Sequence, residues 1–419
     1  MNGVIIAAPG SGSGKTTITL GLLRALRNAG IAIRSAKSGP DYIDPRFHAA
    51  ASGNECVNLD AWAMTPERIQ SLASGETPMV IEGAMGLFDG APPAGKGASA
   101  DLARVLQIPV VLVVDVSHQA QSVAAVVSGF ANHRADVRIA GLILNKVGSP
   151  RHETMLRDAL IDTPIPILGC VHRNPKLQTP SRHLGLVQAS ERGDLEEFLE
   201  NAAAVMTDCI DLVKFQSLFS PMATTNNAPK ILPPPAQSIA IASDAAFAFS
   251  YPHLLDAWKS AGASLSFFSP LNNEAPASAD LVILPGGYPE LHAGKLAAND
   301  TFLNGVRNAP SVYGECGGYM AMGDGIVDAD GVAHKMLGLL NLETSFFKRK
   351  LTLGYRSLSC NGGIFDGHLN AHEFHYATTL HAKGDPLFCA SDASGIALPD
   401  MGLINGHFSG SFAHVIDRA

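Results

Sequence analysis

Apolar residues fall in short unbroken runs rather than in alternation. Gly3–Ala8, Pro78–Ile81, Pro109–Val116, Ile139–Leu144 and Ile165–Val171 are rich in Val, Ile and Leu. Such runs fit strands covered on both faces. Between the first two, Ile18, Leu22, Leu23 and Leu26 recur at helical spacing from about Lys15, and Gly30 offers a stop. Strand alternating with helix predicts a doubly wound parallel sheet. The pattern fails over 222–237, which reads MATTNNAPKILPPPAQ. Three consecutive prolines and a polar run cannot continue a helix or a central strand. Alternation resumes with Ser238–Ala242, Ala279–Leu284 and Pro310–Tyr313. The expectation is two α/β domains, 1–221 and 238–419, joined by a linker over 222–237.

Composition narrows the class. At 419 residues the chain can bury a large core, and its length favours two or three domains. Charged residues are 16%, below the ~25% of an average protein, while there are 41 Gly and 26 Pro. That suits buried strands joined by tight turns. With 30 Lys+Arg against 38 Asp+Glu, the net charge is −8, which argues against a nucleic-acid partner. No apolar stretch of ~18 residues predicts a membrane span, and the N-terminus reads as a strand rather than a signal peptide. Cys56, Cys170, Cys209, Cys316, Cys360 and Cys389 form no CxxC pair and read as reduced thiols of a cytoplasmic protein.

The first strand runs into Ala8-Pro9-Gly10-Ser11-Gly12-Ser13-Gly14-Lys15-Thr16-Thr17. Glycines let such a loop fold back so that backbone N–H groups converge on one anion, and the following helix adds its positive end. Lys15 offers a point charge to the β- and γ-phosphates, and the Thr16 hydroxyl suits Mg²⁺. Pro9 stands where the usual GxxxxGK[ST] pattern has its first Gly, but the GK[ST] half is intact. Gly10, Gly12, Ser13, Gly14, Lys15, Thr16 and Thr17 are therefore expected to bind ATP or another nucleoside triphosphate.

Acidic residues cluster at three further strand ends. They lie in KSGPDYID from Lys37 to Asp44, in Asn58-Leu59-Asp60, and in EGAMGLFDG from Glu82 to Gly90. Open α/β sheets bind ligands at carboxyl ends of strands, and a carboxylate facing a phosphate-loop lysine is a natural Mg²⁺ ligand. Thr16 and Glu82, with Asp60, are the expected metal ligands. Asn145, closing Ile139–Leu144, is either an adenine contact or a turn residue.

In the second region a strand enters Val312-Tyr313-Gly314-Glu315-Cys316-Gly317-Gly318-Tyr319. This is the cysteine form of a nucleophile elbow. A helix N-terminus behind the thiol is expected to lower its pKa. Gly286 and Gly287, in Leu284-Pro285-Gly286-Gly287-Tyr288-Pro289, could supply an oxyanion hole. His372, His375, His407 and His414 are candidate bases, with His414 placed after a final strand. Position along the chain does not choose between them.

These motifs resemble one family. APGSGSGKTT, KSGPDYIDPRFH, NLD, EGAMGLFDG, LPGGYPELH, YGECGGYMAMG, LGYR, HEFHY and GSFAH run from residue 8 to 414. Together they resemble the cobyrinate/hydrogenobyrinate a,c-diamide synthases of cobalamin biosynthesis. KxGPDYxD with EGxMGLFDG separates these from the cobyric acid synthases and from dethiobiotin synthetase. The resemblance implies a dethiobiotin synthetase-like P-loop domain followed by a class I glutamine amidotransferase domain. It implies that ATP, Mg²⁺ and L-glutamine convert two acetate carboxylates of a corrinoid macrocycle to amides, by way of an acyl phosphate. It implies Cys316 as nucleophile, His414 as its base, and a homodimer. It assigns Lys37, Asp41, Tyr42, Asp44, Glu82, Asp89 and His375 to the synthetase and substrate site. Many triad amidotransferases carry an acid two residues after the His. Here Ile416 stands there, with Asp417 next, which leaves a Cys316–His414 dyad and an open third place. The ending GSFAHVID resembles the hydrogenobyrinate branch. Nickel-sirohydrochlorin amidation and a non-catalytic P-loop switch ATPase are the competing readings.

Overall fold

The computed structural model describes residues 2–177, 181–182, 185–186 and 188–419. The chain divides into two compact units, Met1–Pro229 and Lys230–Ala419. Met222 is buried and packs against Gly3, so the first unit continues into the proline-rich segment.

The first unit is built on parallel strands β1 (Asn2–Ala7), β2 (Arg34–Ser38), β3 (Cys56–Leu59), β4 (Met79–Glu82), β5 (Val110–Asp115), β6 (Ile139–Val147) and β7 (Ile167–His172). Their order is β3-β2-β4-β1-β5-β6-β7, and Ser220–Pro221 pairs antiparallel with β1. Val4, Ile6, Val111 and Val113 have no exposed surface, as strands covered on both faces require. Helix α1 (Lys15–Asn28) follows β1, and its Ile18, Leu22, Leu23 and Leu26 join Val4 and Ile6 in one core. Helix α2 (Asp44–Ser52) follows β2. Register then sets the site. Ile6 of β1 pairs with Glu82 of β4, and Glu82 pairs with Lys37 of β2. Three carboxyl ends therefore deliver the phosphate loop, Glu82 and Lys37 to one edge.

The second unit has a six-stranded sheet. Its order is Ser264–Phe268, Ser238–Ala242, Leu281–Leu284, Val312–Glu315, Phe408–Ser411 and Leu403–Asn405. Only the last pairing is antiparallel. The sequence pattern did not anticipate a further antiparallel sheet, formed by Phe388–Asp392, Thr352–Cys360, His368–His375 and Ala413–Arg418. His414 lies within that last strand, opposite His372, and not after a final strand as expected. Register thus brings the carboxyl-terminal histidine back beside the HEFH segment.

Candidate active sites

The phosphate loop turns through left-handed backbone at Gly12 (φ 77) and Gly14 (φ 85), a conformation that side chains with a Cβ avoid. The Ser13 hydroxyl donates to the Gly10 carbonyl at 2.7 Å, and the Asn145 amide donates to the Ser13 carbonyl at 2.8 Å. Asn145 thus ties β6 to the loop. It also lines, with Gly14, Thr17, Lys146, Arg173 and Asn174, a cavity of about 370 Å³. Lys15 donates to the Met85 carbonyl at 2.6 Å. Its burial lowers the ammonium pKa, while Glu82 opposes that shift.

A knot of charges sits at the amino end of α1. Thr16 Oγ1 donates to Glu82 Oε1 at 2.6 Å and lies 3.4 Å from Asp44 Oδ2. The Lys37 ammonium donates to the same two carboxylates, at 2.8 Å and 2.6 Å. His48 Nε2 meets Glu82 Oε2 at 2.5 Å, and its Nδ1 lies 3.6 Å from the Cys56 thiol. Burial alone would raise Glu82, but Lys37 and His48 hold it well below the usual carboxylate range. Burial and the facing Asp41 push Asp44 up to about 6, against the pull of Lys37. Burial disfavours a charged His48, yet Cys56 and Glu82 hold it up at about 10.

The other acids take different places. Asp41 Oδ1 accepts the Ile43 and Asp44 N–H groups and so caps the entry to α2, with Tyr42 partly buried on the same turn. Asp60 Oδ1 accepts the Trp62 and Ala63 N–H groups and shapes the turn after β3. Asp89 accepts the Gly86 N–H and closes the loop after β4. The carboxylate that joins Thr16 and Glu82 is therefore Asp44, where the sequence had pointed to Asp60. His48 was not singled out from the sequence, although it stands four residues after Asp44, one turn along α2. No group of three or more His, Cys, Asp or Glu among the described residues forms a ready metal cage. One hydroxyl and two carboxylates are hard oxygen donors, and Mg²⁺ is usually held by one or two carboxylates together with phosphate oxygens and water.

In the second unit Cys316 links the strand Val312–Glu315 to the helix Gly317–Met322 with φ 47 and ψ −104. That backbone is costly for a residue with a Cβ and persists because its neighbours fix it. The Cys316 N–H donates to the Ser411 carbonyl at 2.8 Å, and its thiol lies 3.7 Å from the Phe374 carbonyl. A Cβ on Gly318 would collide with the Leu284 carbonyl, and one on Gly317 would collide with the Pro289 ring and crowd the Gly287 backbone. The thiol is buried, and burial pushes its pKa up, with Glu290 adding to the rise. The expected lowering by the helix is absent, since desolvation outweighs the opposing Gly317 N–H.

The His414 ring is buried over Gly286, and burial lowers its pKa to about 3, helped by His372 and His375. The Gly286 carbonyl accepts the Phe249 N–H, while the Gly287 backbone lies against Gly317 beside the thiol. His375 sits with this thiol site, on the strand whose Phe374 carbonyl faces Cys316. Its Nε2 meets Glu373 Oε1 at 2.9 Å, Glu373 Oε2 accepts from Arg356, and its ring stacks on Phe412 at 4.0 Å. The sequence had grouped His375 with the synthetase residues.

Comparison with known proteins gives these geometries a setting. Residues 4–187 match the family described as the CobQ/CobB/MinD/ParA nucleotide binding domain, and residues 238–418 match the CobB/CobQ-like glutamine amidotransferase domain. The hydrogenobyrinate a,c-diamide synthase of Brucella anthropi is 55% identical, covering 100% of this chain and 99% of its own. The protein of the same name from Sinorhizobium sp. is 52% identical over the same shares. The chain belongs to the cobyrinate/hydrogenobyrinate a,c-diamide synthase family. As a family member it is a carbon–nitrogen ligase with glutamine as amido-nitrogen donor, joining a nucleotide-binding domain to a glutamine amidotransferase domain. A solved glutamine amidotransferase aligns with a TM-score of 0.32 at 16% identity, covering 42% of this chain and 89% of that one. Among the described residues no helix is long and apolar enough to cross a membrane.

Proposed function

We propose that the protein amidates the a- and c-acetate carboxylates of hydrogenobyrinate, using ATP and glutamine in the cytoplasm. The observation that carries this reading is the full-length identity to relatives bearing that one name. The knot of Thr16, Lys37, Asp44 and Glu82 beside the phosphate loop supports the ATP half. In the first half-reaction a substrate carboxylate oxygen attacks the γ-phosphorus, and the bond to ADP breaks. Lys15 and the loop N–H groups hold the transferring phosphoryl group. Thr16, Glu82 and Asp44 would hold Mg²⁺, whose charge neutralises the phosphate oxygens. Ammonia then attacks the acyl phosphate carbonyl, and inorganic phosphate leaves.

In the amidotransferase domain Cys316 attacks the glutamine amide carbon after its proton passes to His414. The Gly287 N–H is the proposed donor to the tetrahedral oxyanion, a reading supported by the Gly287 backbone lying against Gly317. His414 returns that proton to the departing nitrogen, so ammonia leaves a glutamyl thioester, which water hydrolyses to glutamate and the free thiol. A buried protonated thiol supports activation at the moment of attack, not a standing thiolate.

The test is Cys316→Ala assayed with two nitrogen donors. Glutamine-dependent amidation should vanish, while amidation with ammonium chloride stays within about threefold of the parent enzyme. Glutamine-dependent turnover surviving in Cys316→Ala would overturn the thiol mechanism. Failure to amidate hydrogenobyrinate with either donor, in the parent enzyme, would overturn the substrate assignment.

A further inference from the structure

An imidazole that accepts a proton in a buried site is commonly oriented by a fixed polar group, most often a carboxylate, on its other nitrogen, which sets the tautomer and stabilises the imidazolium. The position two residues after His414 is Ile416, a fully buried aliphatic side chain. Asp417 turns back onto its own neighbour, accepting the Arg418 N–H at 2.9 Å. A different acid faces the ring. Glu315 Oε2 lies 3.8 Å from His414 Nδ1, and the two side chains are 14% and 2% exposed.

The other oxygen of Glu315 is already fixed. Oε1 accepts the Val415 N–H at 3.2 Å and the Tyr313 hydroxyl at 3.3 Å. Val415 directly follows His414, so this contact clamps the carboxyl to the backbone that carries the imidazole. Glu315 also directly precedes Cys316. The strand Val312–Glu315 ends in this acid, and the strained turn then throws the thiol to its own side. A separation of 3.8 Å is too long for a hydrogen bond. Contacts of this kind commonly tighten only when the ligand binds.

We propose that Glu315 is the third member of the glutaminase site, a positioning residue that holds His414 through Nδ1. In this arrangement the thiol proton moves to His414 Nε2, Nδ1–H donates to the ionised Glu315 carboxylate, and the Nδ1 proton stays on the imidazole. Nucleophile and orienter are thus consecutive residues on one elbow, in place of the usual acid beyond the histidine.

The inference rests on the reading of Cys316 and His414 as the glutaminase pair, and Cys316→Ala run alongside separates the two. Glu315→Gln preserves shape but removes the ionisable carboxyl, whose pKa burial raises to about 8 in the unliganded site. Its glutaminase kcat should fall at least about 100-fold, with KM for glutamine within about threefold. Ammonia-dependent amidation should be unchanged, and a parent-like thermal transition of the amidotransferase unit shows that the variant folds. Glu315→Asp should recover part of the loss. If Cys316→Ala abolishes glutaminase activity while Glu315→Gln keeps kcat within about threefold, the role of Glu315 is overturned. Should Glu315→Gln not fold, nitrogen-15 NMR of the parent enzyme decides. A hydrogen-bonded, exchange-protected Nδ1 proton on His414 in the thioester-analogue complex is expected, and its absence overturns the proposal.

Discussion

Lys37 and Thr16 share the same two carboxylates, so each oxygen of Glu82 is already spoken for before a nucleotide arrives. His48 holds Oε2 and thereby aims Oε1 at the phosphate loop. Replacing His48 with Asn keeps a polar group there but removes the positive charge. Ammonia-dependent amidation should fall about 10- to 100-fold, the usual cost of losing an outer-shell partner. The Mg²⁺ concentration for half-maximal rate should rise, and glutaminase activity should not change. A Mg²⁺ titration with ammonium as donor checks all three. Lys15, Thr16 and Glu82 were legible in the sequence because loop and strand-end chemistry is local. His48 and Asp44 were harder, because what matters in them is a packing partner 34 or more residues away in one case and a shared lysine in the other.

At the level of elements, strands reveal themselves by hydrophobicity only where hydrophobicity is their whole task. β1, β4, β5, β6 and β7 stand out as aliphatic runs. β2 and β3 are equally buried but read RSAKS and CVNL, because β2 carries Lys37 to the site and β3 carries Asn58, whose amide donates to the Gly39 and Asp41 carbonyls. The sheet around Thr352–Cys360 and His368–His375 escaped notice for another reason. Its half-exposed strands mix aromatic, charged and small residues without a clean alternation. The elbow was legible, but its tightness has a testable cost. Gly318→Ala would drive a methyl group into the Leu284 carbonyl, a backbone group with no flexible side-chain end to yield. A loss of about 1–3 kcal/mol is expected, with glutamate release abolished and ammonia-dependent amidation retained. Thermal denaturation and a glutamate assay measure the two effects.

Over the whole molecule, the boundary between compact units falls at Pro229 and Lys230, inside the segment 222–237 that was expected to be a linker. Each unit carries its own core and its own chemistry. A ligand that binds only the folded form raises the stability of the part that holds it. Calorimetry should therefore resolve two transitions. ATP with Mg²⁺ should raise one, and a glutamine analogue that alkylates Cys316 should raise the other. A single transition moved equally by both ligands would argue against independent units. The net charge of −8 says little about substrates that are themselves anions. On the proposed function, the positive charge they meet is local, in Lys15, Lys37 and the loop N–H groups.

The buried elbow also bears on durability. Peroxide attacks sulfur through its ionised form, and does so where solvent can reach it. Cys316 is only 4% exposed, and its surroundings keep the proton on. On the mechanism proposed for Cys316, peroxide should therefore inactivate the unliganded enzyme slowly, read as retained glutaminase activity after peroxide treatment.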